Sequence, residues 1–199
     1  MALKRFRQIK PEIRVLGVDD GIFVPHTKGT VDVIGVVYRG GYWLDGVMRT
    51  EVVVDGMDAT EKIASMIKKS PHYNQLRIVV LDGITFAGFN VVDINELFKK
   101  VDLPVIAVTR EKPDLVQIKK ALENLPERER RWTAIESAGK IIKVQTRNIE
   151  EVVYMQIAGI SQKDAEKILR NTSTRSNIPE ALRATHIIAS GLDRAEEKV

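Results

Sequence analysis

Three β-branched stretches follow one another with no helical pattern between them, at Arg14–Asp19, Val31–Arg39 and Tyr42–Asp55, and only afterwards do helical and extended patterns alternate. Gly40-Gly41 separates the second stretch from the third. A glycine doublet supplies the positive backbone dihedrals of a tight hairpin, so these two strands are expected to pair antiparallel. Few compact folds begin this way.

Past Gly56 the period changes. Ile63, Ala64 and Ile67 recur at helical spacing in DATEKIASMIKKS, with Asp58 placed as N-cap and Glu61 three residues on, the outline of a capping box. A strand at Leu76–Asp82, a helix at Asp93–Lys100 capped by Asp93 and Glu96, and a strand at Pro104–Thr109 come next. Helices are then expected at Asp114–Leu122 and Glu127–Ser137, a short strand at Lys140–Gln145, and helices at Ile149–Ala158, Ser161–Arg170 and Pro179–Gly191. An antiparallel meander followed by a right-handed crossover that brings the fourth strand beside the first gives the order 3-2-1-4-5. That is an α/β fold, a ribonuclease-H-like mixed sheet flanked by helices. No repeat, low-complexity tract or Gly/Ser linker interrupts the chain, so one domain over residues 1–199 is expected.

The absence of cysteine excludes disulfides, thiol nucleophiles and thiolate metal sites, and leaves oxygen and nitrogen as metal ligands. Thirty-one basic against 27 acidic residues give a charge of +4, compatible with a polyanionic partner. The basic N-terminal segment runs into a strand without a signal-type apolar stretch, and runs such as VDVIGVVY fall far short of the roughly 20 residues that span a bilayer. A cytoplasmic protein without membrane association is expected.

In the order 3-2-1-4-5 the C-terminal ends of strands one and four are neighbours, and ligands of open sheets gather there. Strand one ends in GVDDG and strand four in VVLDG, which brings Asp19 and Asp82 together. Asp-Gly at a strand end also serves as turn chemistry. Two carboxylates on strands about 5 Å apart repel unless a cation lies between them, and Mg²⁺ takes one or two carboxylates with water and phosphate oxygens. Asp19 shares the alternation of Val15 and Gly17, so Asp20 faces the other way. A third acid is expected among Asp55, Asp58 and Glu61 at the mouth of the first helix; Asp58 is the choice, although Asp58 and Glu61 also read as helix caps.

The loop GITFAGFN after Asp82 places Gly83, Ile84, Thr85 and Gly88 where backbone amides can meet a base edge, with Phe86 or Phe89 available to stack, or else to fill the core. His186, in the apolar helix ATHIIASGL, reads either as a satisfied core histidine or as a proton carrier near the carboxylates. Arg183 lies one turn earlier, and Arg110 and Arg175 flank the expected cleft as phosphate contacts. The run ERERR at Glu127–Arg131 reads as a solvated face, and AGISQKDAEKIL as a helix-turn-helix entry with Ser161 as cap.

RVLGVDDGIF, VDGMDATEKI, LDGITFAGFNVVD, LPVIAVTREKPD and RSNIPEALRATHIIASGL together resemble the archaeal endonuclease dU family over nearly the whole chain, and endonuclease V more distantly. The resemblance implies a ribonuclease-H-like nuclease that uses Mg²⁺, or Mn²⁺, to cleave DNA near a deaminated base, deoxyuridine, in repair. It carries metal ligation onto Asp19 and Asp82, and matches Pro179, Glu180, Arg183 and His186 to the C-terminal PE-x-xR-xxH spacing. Asp58 stands nearest to the Arg-Glu that endonuclease V has before its first helix, and GITFAGFN lacks that family's His-Pro-Arg, which implies a different base preference. Two alternatives keep the fold: a catalytically degenerate nucleic-acid-binding module, or a Mg²⁺-dependent phosphoesterase with another substrate.

Overall fold

The structure, a computed structural model, describes residues 3–25, 27–147, 150 and 152–196. The chain opens with β1 (Arg14–Asp20), β2 (Thr30–Arg39) and β3 (Trp43–Val53), followed by α1 (Ala59–Lys69) and β4 (Ile78–Asp82). A small hairpin of β5 (Thr85–Phe86) and β6 (Asn90–Val91) leads into α2 (Ile94–Val101), β7 (Val105–Thr109), α3 (Leu115–Leu122) and α4 (Arg128–Ser137). The last part is β8 (Ile142–Gln145), β9 (Val152–Ala158), α5 (Gln162–Thr172) and α6 (Glu180–Glu196). No helix among the described residues is long and apolar enough to cross a membrane.

The main sheet runs β3-β2-β1-β4-β7-β9-β8. Its first five strands carry the expected meander and crossover: β1–β2 and β2–β3 are antiparallel, β1–β4 and β4–β7 parallel. The chain turns from β2 to β3 through Gly40, whose φ of 59° admits the tight reversal. Two further antiparallel strands, β9 against β7 and β8 against β9, extend the sheet beyond the expected order.

This extension corrects one expectation. Of the helix assigned to Ile149–Ala158, Val152–Ala158 is the strand β9 and Glu150 lies in a bend, while residues 149 and 151 lie outside the described residues. VVYMQIA is β-branched and aromatic, and the open edge of β7 gives it a partner, so pairing overrides a helical reading of the apolar positions. Because a strand precedes α5, the helix-turn-helix reading of AGISQKDAEKIL fails, although Ser161 does cap α5 by accepting from Asp164 N at 3.2 Å.

Alternate residues of the central strands enter two cores. Leu16, Val18, Val79 and Leu81 pack towards α1 and α2 with Ile63, Ile67 and Leu97. Val15, Ile78, Val80, Ile106 and Val108 pack the other way, against Ile168, Leu169, Ala181 and Leu182 of α5 and α6. The C-terminal helix lies close on β1: a Cβ on Gly17 would stand 2.5 Å from the Ala181 carbonyl carbon. Thr185 Oγ1 closes the contact by donating to Gly17 O at 3.2 Å.

Two local expectations fail for one reason, that the charged side chains find partners distant in sequence. The capping box at α1 does not form: Asp58 makes no cap bond, and Ala59 N donates instead to Asn90 Oδ1 at 2.9 Å. Glu61 pairs outward with Lys100 at 2.7 Å. Arg131, read as part of a solvated face, is 1% exposed and donates to the carbonyls of Pro126, Gly56, Phe89 and Asp55. Burial pushes its pKa down while the neighbouring Asp55 and Glu127 carboxylates oppose the shift.

Candidate functional site

The alternation that builds the cores also aims the acids. Val15, Gly17 and Asp19 share one face of β1, and Ile78, Val80 and Asp82 the same face of β4, the face that α5 and α6 cover. β1 and β4 pair in parallel up to Val18↔Leu81, and Asp19 and Asp82 stand one residue beyond that last rung. From above, α6 delivers His186 one turn past its contact with Gly17. Ligand atoms of Asp19, Asp82 and His186 lie within 4.8 Å of one another, a group able to hold a metal ion.

Within it, His186 Nδ1 stands 3.1 Å from Asp19 Oδ2, and Asp19 Oδ1 accepts from Asp20 N at 2.9 Å. The imidazole side chain is 54% exposed, against 8% for Asp19, so the core reading of His186 fails: apolar neighbours in sequence lie on other faces of the helix. Its Nε2 makes no hydrogen bond among the described contacts.

Electrostatics mark the same place. Burial, then the carboxylates of Asp82 and Asp20, raise the pKa of Asp19 to about 7, against the pull of His186. Burial also raises Asp82, which Arg110 and His186 counteract. Asp20 is raised by burial and held back by the backbone hydrogen bond from Ala87 N. Three carboxylates crowded at the ends of two strands favour a bound cation, because a cation removes the repulsion that burial magnifies.

The expected third acid is placed elsewhere. Asp58 Oδ1 accepts from Val53 N at 3.2 Å and Asn90 Nδ2 at 2.6 Å, so it ties the entry of α1 to β6 and does not join the group around Asp19. Asp55 is likewise occupied, its Oδ1 accepting from Phe89 N at 2.8 Å. The acid that does press on Asp19 from the side is Asp20, on the opposite face of β1. The Asp-Asp doublet was its only sequence signal.

The loop after Asp82 divides into two halves. Gly83, Ile84 and Thr85 border a cavity of about 460 Å³ that continues past Thr109, Tyr154 and Gln156 to the start of α3. Residues 86–90 instead serve the fold: Phe86 is wholly buried, which removes it as a stacking platform. Gly88 has φ of 87°, and a Cβ there would collide with Asp55 Oδ1, so its glycine answers to Asp55. Thr109 Oγ1 and Gln156 Nε2 bond Glu111 O and Gly139 O at 2.8 and 3.0 Å. Sequence reasoning missed both: Thr109 reads only as the end of a strand, and Gln156 lies on the strand read as a helix.

The three arginines differ in placement. Arg110 is exposed just past β7, near enough for its charge to act on Asp82. Arg183 is tied back, its Nε donating to Glu180 Oε2 at 2.8 Å, and Glu180, 1% exposed, also accepts from Arg175 N at 2.8 Å. Arg175 thus fixes the turn into α6 through its backbone, and because the adjoining Thr174 donates to Gly41 O at 2.9 Å its segment stands by the β2–β3 turn, at the end of the sheet away from Asp19, so the expectation that Arg175 flanks the cleft fails.

The sequence matches the family described as endonuclease dU over residues 11–193. The chain belongs to that family. A UPF0215 protein of Methanothermobacter thermautotrophicus is 53% identical over 194 residues, covering 97% of this chain and 94% of its own length. A crystal structure of a protein of unknown function from Archaeoglobus fulgidus superposes with a TM-score of 0.81 at 37% identity, over 90% of this chain and 98% of that one. The endonuclease V of Ciona intestinalis, solved with DNA containing an inosine, shares the fold at a TM-score of 0.62 and 13% identity, over 94% of this chain and 87% of its own. This member of the family is ribonuclease-H-like in fold, and family membership places it among the nucleases.

Proposed function

We propose that this chain is a divalent-metal-dependent endonuclease that cleaves a DNA phosphodiester beside a deaminated base, deoxyuridine, in repair. The observation that carries the reading is the convergence of Asp19, Asp82 and His186 within 4.8 Å at the ends of two adjacent parallel strands. Asp19 and Asp82 offer the oxygen donors that suit Mg²⁺ or Mn²⁺. When bound, such an ion supplies charge to offset that of the phosphate and acidifies water for in-line displacement.

The chain's own groups do the rest. Asp19 orients His186 through Nδ1, which leaves Nε2 turned towards substrate to take or give a proton. Arg110 presents an exposed guanidinium group to a flanking phosphate. The cavity bordered by Gly83, Ile84 and Thr85 receives the displaced base, with a size inside the usual range for small-ligand pockets. The uridine assignment is supported by the family alone.

Cleavage of duplexes that differ only in one uracil, one hypoxanthine or no lesion tests the reading, with chelator, Mg²⁺ and Mn²⁺ as separate arms. Nicking of the uracil duplex alone, lost with chelator and lost in Asp19→Asn and Asp82→Asn, is the expected result. Wild-type cleavage by either variant overturns the site, and cleavage of the undamaged duplex at the same rate overturns the lesion.

A further inference from the structure

One groove of the molecule is lined mainly by cationic side chains. At the end of the sheet opposite the carboxylates, where β1, β4 and β7 begin, residues 4–14 cross the sheet and leave a groove of about 810 Å³ against residues 75–77 and 102–104. Six cationic side chains line it, Lys4, Arg5, Arg7, Lys10, Arg14 and Arg77, against the carboxylates of Glu12 and Asp102. That excess of four equals the excess of 31 basic over 27 acidic residues in the whole chain, so the remainder is balanced.

Lys4 pairs with Asp102 at 2.6 Å, Arg14 with Asp45 at 3.1 Å, and Arg77 donates to the carbonyls of Asn74 and Leu76. Among the described residues no carboxylate stands within ion-pair distance of Arg5, Arg7 or Lys10, all of them exposed. Their backbone is anchored: Lys4 N donates to Gly159 O at 2.8 Å, Ile9 and Ile13 are buried, and Gly40 N donates to Ile13 O at 2.8 Å. Like charges fixed side by side repel each other, and a polyanion relieves that cost.

We propose that this groove is a second nucleic-acid contact, which takes the phosphate backbone of a segment other than the one at Asp19 and Asp82. A phosphate backbone fits better than a protein or a membrane, because the apolar residues of the lining turn inward. Ile13 and Leu76 are buried and Phe6 packs on the core, so no apolar anchor of the kind those partners require is presented. The seven residues of β1 put roughly 20 Å between groove and carboxylates. Bending one short duplex round both ends costs several kcal/mol, so the groove takes a second segment, from another molecule or from a loop of the same one.

The proposal rests on a first segment being held at the Asp19 end, which loading of the groove variant onto the bead reports separately; an undamaged duplex is used with chelator present, so that no cleavage occurs. A bead-bound duplex is loaded with protein and offered a second, labelled duplex. Wild type is expected to capture the label; Arg5→Glu/Arg7→Glu/Lys10→Glu is expected to lose capture and to show a log affinity less steep in log salt by about 3. Lys62→Glu/Lys68→Glu/Lys163→Glu, the same charge change at exposed positions elsewhere, is expected to keep capture. Should the triple variant fail to fold, as judged by circular dichroism, the single change Arg7→Gln is expected to weaken capture. Capture by the triple variant at wild-type level, equal loss in the control variant, or loss of binding to phosphatidylserine vesicles with duplex capture intact each overturns the proposal.

Discussion

At the scale of the residue, Asp19 holds the largest electrostatic debt. Burial and its acidic neighbours push its carboxyl up to about 7 in the folded protein, against 3.8 for the free side chain, so between those values the folded protein keeps a proton that the unfolded chain has released. Stability therefore falls as pH rises through that window, and the full cost remains above it. Asp19→Asn is expected to raise the Tm of the metal-free protein at pH 8 by several degrees, at about 2–4 °C per kcal/mol for a chain of this size, with the gain vanishing near pH 4. Calorimetry at both values checks this; equal gains at each would locate the cost elsewhere. Arg131 is the opposite case, a buried charge that stabilises. Its guanidinium serves four carbonyls, so Arg131→Met should cost on the order of 3 kcal/mol in urea denaturation, and Arg131→Lys should recover only part of it. Nothing in ERERR distinguishes Arg131 from its neighbours, because what buries it is the loop carrying Asp55 and Gly56, 75 residues away in sequence.

At the scale of the element, the site depends on how closely α6 approaches β1. Gly17→Ala would set a methyl group against the Ala181 carbonyl, and the helix must shift to admit it. We expect a marked fall in cleavage together with a loss of stability of 1–3 kcal/mol, the usual cost of about one excess methyl in a packed core. Unchanged cleavage would show that His186 need not meet Asp19. The strands carrying the acids were legible because β-branched runs ending in Asp-Gly state both type and end, and the period-two rule chose Asp19 over Asp20. The partners that use up Asp58 and Asp55 were not legible. Asn90 and Phe89 reach them across more than 30 residues of sequence, which no local pattern encodes. β9 was misread for a related reason: its strand character depends on an edge of β7 that the sequence does not display.

At the scale of the whole molecule, a cation that binds only the folded state must stabilise it by mass action, by about 2.7 kcal/mol at a hundredfold excess over Kd. Mn²⁺ or Mg²⁺ is therefore expected to raise the Tm of the wild type and leave that of Asp82→Asn unmoved, a difference visible in a thermal-shift titration. An equal rise in both would mean that the ion binds elsewhere. The meander and crossover were readable from element order alone, and so was β8 as a short strand, but not its place in the extension beside β9 at the edge of the sheet. That extension has a kinetic consequence. With β2 and β3 on one flank and β7, β9 and β8 on the other, β1 and β4 lie at the centre of the sheet, far from either edge that can fray. Their amides should be among the last to exchange with deuterium, opening only when the entire fold does. Fluctuations that loosen the margins would then leave the geometry of Asp19 and Asp82 intact until global unfolding.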